Sequence, residues 1–105
     1  FGNNPQIYFN DNIEDPRDLK NFSDEIKQKF LDGIIVLVCK KNDKVSLVVS
    51  LTSSCQEKYN AVDLLKKFVE FLGGKGGGGR SDLAQGGAPF SKKVNELKSF
   101  ILSII

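Results

Sequence analysis

The sequence predicts an α/β (α+β) domain, a small mixed β-sheet with an antiparallel hairpin and about three packed helices. Three observations lead there. Apolar residues recur at helical spacing in three separate stretches. Between the first two lie a pair of strand-like runs joined by a short polar turn. The last is residues 73–87, which hold eight of the chain's ten glycines and follow neither pattern.

Taken in order, residues 1–14 read as a lead-in. Gln6-Ile7-Tyr8-Phe9 has strand-like composition after the break at Pro5, so a short edge strand is expected there. Residues 15–105 read as a single globular domain. Asp15-Pro16-Arg17-Asp18 is a helix start, with Asp15 as cap, Pro16 at the first helical position and Asp18 against the dipole. Leu19, Phe22, Ile26 and Phe30 share one face, and Asp32-Gly33 supplies the stop.

Ile34 to Cys39 is a continuous, mostly β-branched run that suits a central strand buried on both faces. After the polar turn Lys40 to Lys44, Val45, Leu47, Val49 and Leu51 alternate with Ser46 and Ser50 along a second strand. So short a connection implies an antiparallel hairpin. Thr52 to Tyr59 reads as a polar loop. Asn60 caps a second helix with the buried stripe Ala61, Leu65, Phe68, Val69 and Leu72, and Gly73 ends it. A third helix follows Pro89, with Val94, Leu97, Ile101 and Ile104 inward and Lys92, Lys93 and Lys98 on the opposite face.

A chain of 105 residues is long enough for its own core without metal or disulfide, and none of its apolar runs approaches a membrane span. Cys39 and Cys55 read as buried free thiols, which agrees with a cytosolic origin. The opening Phe1-Gly2-Asn3-Asn4-Pro5 lacks the pattern of a signal peptide and suggests a piece of a longer protein. The formal net charge of +2 is unevenly spread: residues 1–32 carry −3 and residues 33–105 carry +5. A basic face toward an anionic partner would produce that asymmetry, as would a solvated face of mixed charge.

Many catalytic classes fall away. With no histidine, a serine or cysteine nucleophile has no imidazole base and histidine-based metal sites cannot form. Asp11, Glu14, Asp15 and Asp18 are explained by helix capping. Gly74 to Gly79 matches G-x-G-x-x-G by letter, but it follows a helix C-terminus, where the dipole repels phosphate. Gly-Arg-Ser-Asp at 79–82 is not the Gly-Lys-Ser/Thr ending of a Walker A loop.

What survives is a glycine-rich loop at 73–87 made of Gly73, Gly74, Gly76, Gly77, Gly78, Gly79, Gly86 and Gly87 with Lys75, Arg80, Asp82 and Gln85. A flexible linker would explain the glycines but has no use for Arg80-Ser81-Asp82-Leu83-Ala84-Gln85 among them. Bare amides beside Lys75 and Arg80 suit a polyanion backbone, with Asp82 pairing Arg80 to fix its guanidinium or only to stiffen the loop. Leu83-Ala84-Gln85 is expected to add a short strand to the sheet edge.

Gly79-Arg80-Ser81-Asp82-Leu83-Ala84-Gln85-Gly86-Gly87 closely resembles the motif near the C-terminus of alanyl-tRNA synthetases. The resemblance extends over Asp15 to Leu19, Ile34 to Cys39 and Lys44 to Val49, and covers the chain from about Asp15 to its end. Two departures are Ser81, where proline is usual, and a glycine run one residue longer than in many members. The resemblance implies a non-catalytic domain that contacts the elbow of alanine tRNA and links aminoacylation to editing. Lys75 and Arg80 would be its first phosphate contacts, and Lys92 and Lys93 its second. It implies no cofactor here, with ATP and zinc belonging to upstream aminoacylation and editing domains. It further implies homodimerisation of the full-length protein, a cytoplasmic location, and neither membrane nor DNA as partner. Two alternatives remain: a structural or dimerisation module with the glycine loop packed inside, and the substrate-binding domain of a DHH-type phosphoesterase or exonuclease.

Overall fold

The computed structural model describes residues 6–30, 32–74 and 76–105. Its centre is a five-stranded mixed sheet made of β1 (Gln6–Ile13), β2 (Gly33–Lys41), β3 (Lys44–Leu51), β4 (Gly76–Gly79) and β5 (Leu83–Pro89). The strand order is β1-β2-β3-β5-β4, with β1 parallel to β2 and every other pair antiparallel. Helix α1 (Leu19–Lys27) joins β1 to β2, as a parallel pair requires. Helix α2 (Ala61–Phe71) leads into β4, and α3 (Leu97–Ile104) closes the chain.

The apolar patterns assign the layers. On β2, Ile34, Val36 and Val38 face α2 and α3, where Leu65, Phe68, Leu97 and Ile101 are fully buried. Ile35, Leu37 and Cys39 point to the other side, under Leu19 and Ile26 of α1. With helices on both faces, every residue of β2 from Ile34 to Cys39 is buried, which explains its unbroken apolar run. The hairpin to β3 turns on Asn42 and Asp43, both at positive φ (55° and 62°), the pair of left-handed residues that a two-residue turn between twisted strands needs.

The boundaries of α2 follow local chemistry. The Asn60 side chain accepts from the amides of Val62 and Asp63, satisfying two of the helix's unpaired donors. At the other end Gly73, at φ +88°, donates to the Glu70 carbonyl while Gly74 donates to Val69, so two free carbonyls are satisfied as the chain reverses.

Several expectations change. The strand expected at 6–9 runs to Ile13 and is an edge strand, with an irregularity in register between Asn10 and Ile13. Pro5 lies outside the described residues. Asp15 caps a 3-10 turn at Pro16–Asp18 before α1 begins, and α1 ends at Lys27 rather than at Asp32-Gly33. Gly33 instead opens β2, close against Phe30. Phe22 is 39% exposed, and Ser23 takes a buried place, its hydroxyl donating to the Lys20 carbonyl. At 3.6 residues per turn Phe22 lies about 60° to one side of Leu19, at the margin of the stripe.

The segment after β3 is a 3-10 turn at Ser53–Glu57 with Cys55 buried, not an open polar loop. A further 3-10 turn, Lys92–Glu96, carries Val94 into the core ahead of α3. Most consequential, the glycine run is a strand: Gly76–Gly79 pairs with Gly87–Ala84. Strand β5 is internal, between β3 and β4, and the edge of the sheet is made of glycine.

Candidate nucleic-acid interface at the glycine hairpin

Strands β4 and β5 form a hairpin joined by Arg80, Ser81 and Asp82. Three main-chain hydrogen bonds from three parts of the fold fix this turn. Arg80 donates to the Leu83 carbonyl (2.8 Å), Leu51 at the end of β3 donates to the Asp82 carbonyl (2.9 Å), and Ala61 at the start of α2 donates to the Ser81 carbonyl (2.9 Å). These main-chain bonds hold the turn's backbone at three points.

Register decides which glycines are covered. A Cβ built on Gly77 would stand 2.1 Å from the Gln85 carbonyl oxygen, so this strand segment approaches β5 too closely for any side chain. One built on Gly78 would meet nothing within 4 Å. The two faces of β4 thus differ: one is packed, and the other is open.

On the open side a shallow cavity of about 330 Å³ is lined by Lys20, Gly78, Gly79, Arg80, Leu83 and Gln85. Its described lining brings together two cations, Lys20 and Arg80. Lys20 comes from α1, sixty residues before Arg80 in the chain, and the buried Leu19 beside it fixes that helix to the sheet. A larger cavity, about 580 Å³, lies where Asp43 and Lys44 of the first hairpin approach Gly76 and Gly87. Among its described lining residues are Asp43 and Lys44, a carboxylate beside a cation.

Arg80 is an open side chain, 71% exposed, paired through Nε to Asp82 Oδ1 at 3.3 Å. The other carboxylate oxygen of Asp82 lies 3.5 Å from Nζ of Lys27, on α1. Gln85 is exposed on β5, in register with Gly78.

The residues singled out from sequence thus fall into separate places. Arg80, Asp82, Gln85, Gly78 and Gly79 meet at the hairpin, while Gly73 and Gly74 form the helix end and Gly76, Gly86 and Gly87 continue the strands. Lys75 lies outside the described residues. Lys92 and Lys93 are exposed but belong to the turn whose Val94 packs with α2 and α3, and Lys93 sits 5.8 Å above the Phe71 ring. They are not brought together with Arg80. Lys20, which is brought there, was missed because nothing local to α1 marks it apart from other exposed lysines. Among the described residues no cluster of His, Cys, Asp and Glu could hold a metal ion, and no helix is long and apolar enough to cross a membrane.

Fold and site together define an α+β domain with an open glycine hairpin on one sheet edge. The chain belongs to the DHHA1 domain family, whose model matches residues 3–105. It is 51% identical over 73 residues to an alanine–tRNA ligase of Paramagnetospirillum magneticum, covering 70% of this chain and 8% of the ligase. It is 44% identical over 89 residues to an alanine–tRNA ligase of Ruthia magnifica, covering 81% of this chain and 10% of the ligase. The chain thus spans a tenth or less of the length of these curated relatives. Its fold matches the crystal structure of the C-Ala domain from Aquifex aeolicus alanyl-tRNA synthetase, with a TM-score of 0.80 and 28% identity over 94% of this chain and 87% of that one.

Proposed function

We propose that this chain is the non-catalytic C-terminal module of an alanine–tRNA ligase and that its glycine hairpin contacts the tRNA. The observation that carries the reading is the meeting of Lys20 and Arg80 at a cavity walled by side-chain-free strand. Two cations supply attraction for phosphate, and the open face of Gly78 admits a sugar–phosphate backbone close to the main chain. The likeness to alanine–tRNA ligases and to a C-Ala domain supports alanine tRNA as the partner.

In this reading the whole enzyme joins alanine to its tRNA using ATP, and zinc serves an editing domain elsewhere in the same polypeptide. This module holds the tRNA elbow and helps both activities work on one molecule. It requires no cofactor itself. A cytoplasmic location and homodimerisation of the full-length ligase belong to the same proposal.

The test is a titration of the chain into fluorescent alanine tRNA at two salt concentrations, beside a Lys20→Ala/Arg80→Ala variant whose folding is checked by circular dichroism. Each phosphate contact contributes a slope of roughly 0.7 to 0.9 log units of affinity per decade of salt. The variant is expected to bind more weakly and to lose about 1.5 units of slope. Equal affinity and slope would refute the reading. That result would leave the glycine run a packing device, the role that Gly77 already has against β5.

A further inference from the structure

We infer that Asp82 is a positioning residue: anchored by Lys27 of α1, it aims the Arg80 guanidinium at an RNA phosphate. The inference rests on the RNA-contacting role proposed for the Lys20/Arg80 cavity. Asp82 is 29% exposed and its two carboxylate oxygens are divided between two cations, Oδ1 to Arg80 Nε at 3.3 Å and Oδ2 to Lys27 Nζ at 3.5 Å. Lys27 is only 26% exposed, whereas Arg80 is 71% exposed. One partner is thus tucked against the protein and the other reaches out.

The division matters because a guanidinium has five N–H donors in a fixed plane. A carboxylate lying on the Nε side leaves the terminal nitrogens for a second, bidentate acceptor, and at 3.3 Å its ion pair restrains where the guanidinium reaches. An unpaired arginine of this exposure would have to lose its rotamer freedom on binding. Lys27 in turn keeps the carboxylate from swinging out with Arg80. Residues on α1 therefore serve the site twice, Lys20 at the cavity and Lys27 behind the carboxylate.

A purely structural purpose for the pair is not needed to hold the turn. The turn is already held by main-chain bonds from Leu51, Ala61 and Arg80, none of which uses the Asp82 side chain. Ion pairs as open as this one contribute little to stability. Bulk electrostatics makes the opposite forecast for binding: removing a negative charge beside a polyanion site should tighten RNA binding, whereas removing a positioning group should weaken it. The sign of the effect separates the two.

The experiment measures alanine tRNA affinity for the wild-type chain, Asp82→Asn, Arg80→Ala and the double variant, with thermal midpoints and the Arg80 Nε–H resonance recorded for each folded protein. Asp82→Asn is expected to weaken binding about threefold to tenfold, as when a charge-assisted contact is misaligned rather than removed. It should shift the Arg80 Nε–H signal, leave the thermal midpoint in place, and cause no further loss in the Arg80→Ala background. Unchanged or tighter binding by Asp82→Asn, with Arg80→Ala weakened, overturns the positioning role and leaves the RNA-contacting role standing. An equal loss in both backgrounds also overturns it, because Asp82 would then act without Arg80. Wild-type affinity in Arg80→Ala overturns the role of Arg80 in RNA contact and the positioning role with it.

Discussion

The amide of Ala61 donates to the carbonyl of Ser81 at 2.9 Å, joining the first residue of α2 to the tip of the hairpin into which that helix leads. Helix, reversal at Gly73 and glycine strand therefore form a closed loop of main chain. Its two ends are set by Asn60 and by the β4–β5 turn. Anything that frays the start of α2 is felt at Arg80.

Replacing Asn60 with alanine removes the acceptor for the Val62 and Asp63 amides. The expected cost is about 1 kcal/mol of stability by urea or thermal denaturation. Because the Ala61 amide is the hairpin's anchor, backbone amide signals at Ser81 and Asp82 should shift as well, although they are some twenty residues away in sequence.

Gly77→Ala and Gly78→Ala should differ sharply though they are neighbours. The first places a methyl against the main chain of Gln85 and Gly86 and is expected to cost about 1–3 kcal/mol. The second points into open space and should leave stability within about 0.5 kcal/mol. Thermal melts of the two variants check this directly.

Asp15 gives a defined acid response. The Arg17 side chain, and then the Arg17 amide, hydrogen-bond to its carboxylate and hold its pKa at about 2, below the ordinary 3.8. A depressed carboxylate contributes stability that is fully present above the unfolded value and is lost as pH falls through the folded one. The cap of the first 3-10 turn should therefore weaken progressively from near pH 3.8 down to about pH 2. Carboxyl-carbon chemical shifts of Asp15 are expected to titrate near 2, and Arg17→Ala should move that midpoint upward.

Neither thiol should react in the folded protein. Cys39 is 1% exposed and Cys55 is 6% exposed, both are free, and burial pushes the Cys39 thiol up from its ordinary range. An aromatic disulfide reagent at neutral pH is expected to titrate no thiol in the native state and two in denaturant. Rapid native labelling of Cys39 would mean that β2 opens far more readily than its burial allows.

Helix α2 was legible almost residue by residue, because its cap, its apolar stripe and its glycine stop are all local signals. Strands β2 and β3 were legible as strands from a continuous and an alternating pattern, although β3 is buried on both faces, with Val48 on the α1 side and Val45, Leu47, Val49 and Leu51 on the other. The glycine strand was not. A residue without a side chain has no periodicity to read, and Gly76–Gly79 is extended only because Gly87–Ala84 pairs with it. The candidate site was legible in part: Arg80, Asp82 and Gln85 stand close in sequence, while Lys20 and Lys27 come near them only through the packing of Leu19 and Ile26 onto the sheet. Phe22 lies outside the buried stripe expected of it because that stripe on α1 is narrow and Phe22 sits at its margin, where Ser23 is buried instead.

The order β1-β2-β3-β5-β4 also dictates a sequence of assembly. Strand β4 is synthesised before β5, yet among the described residues its neighbour in the sheet is β5, which itself docks on β3. A hairpin whose first strand is four glycines cannot persist alone, so it waits for the apolar hairpin of β2 and β3 to present an edge. The glycine hairpin is in this way expected to be the last part of the sheet to close and the first to release. In amide hydrogen exchange, protection should fall from β3 through β5 to β4, marking the hairpin as a separately opening unit on an otherwise tightly closed domain.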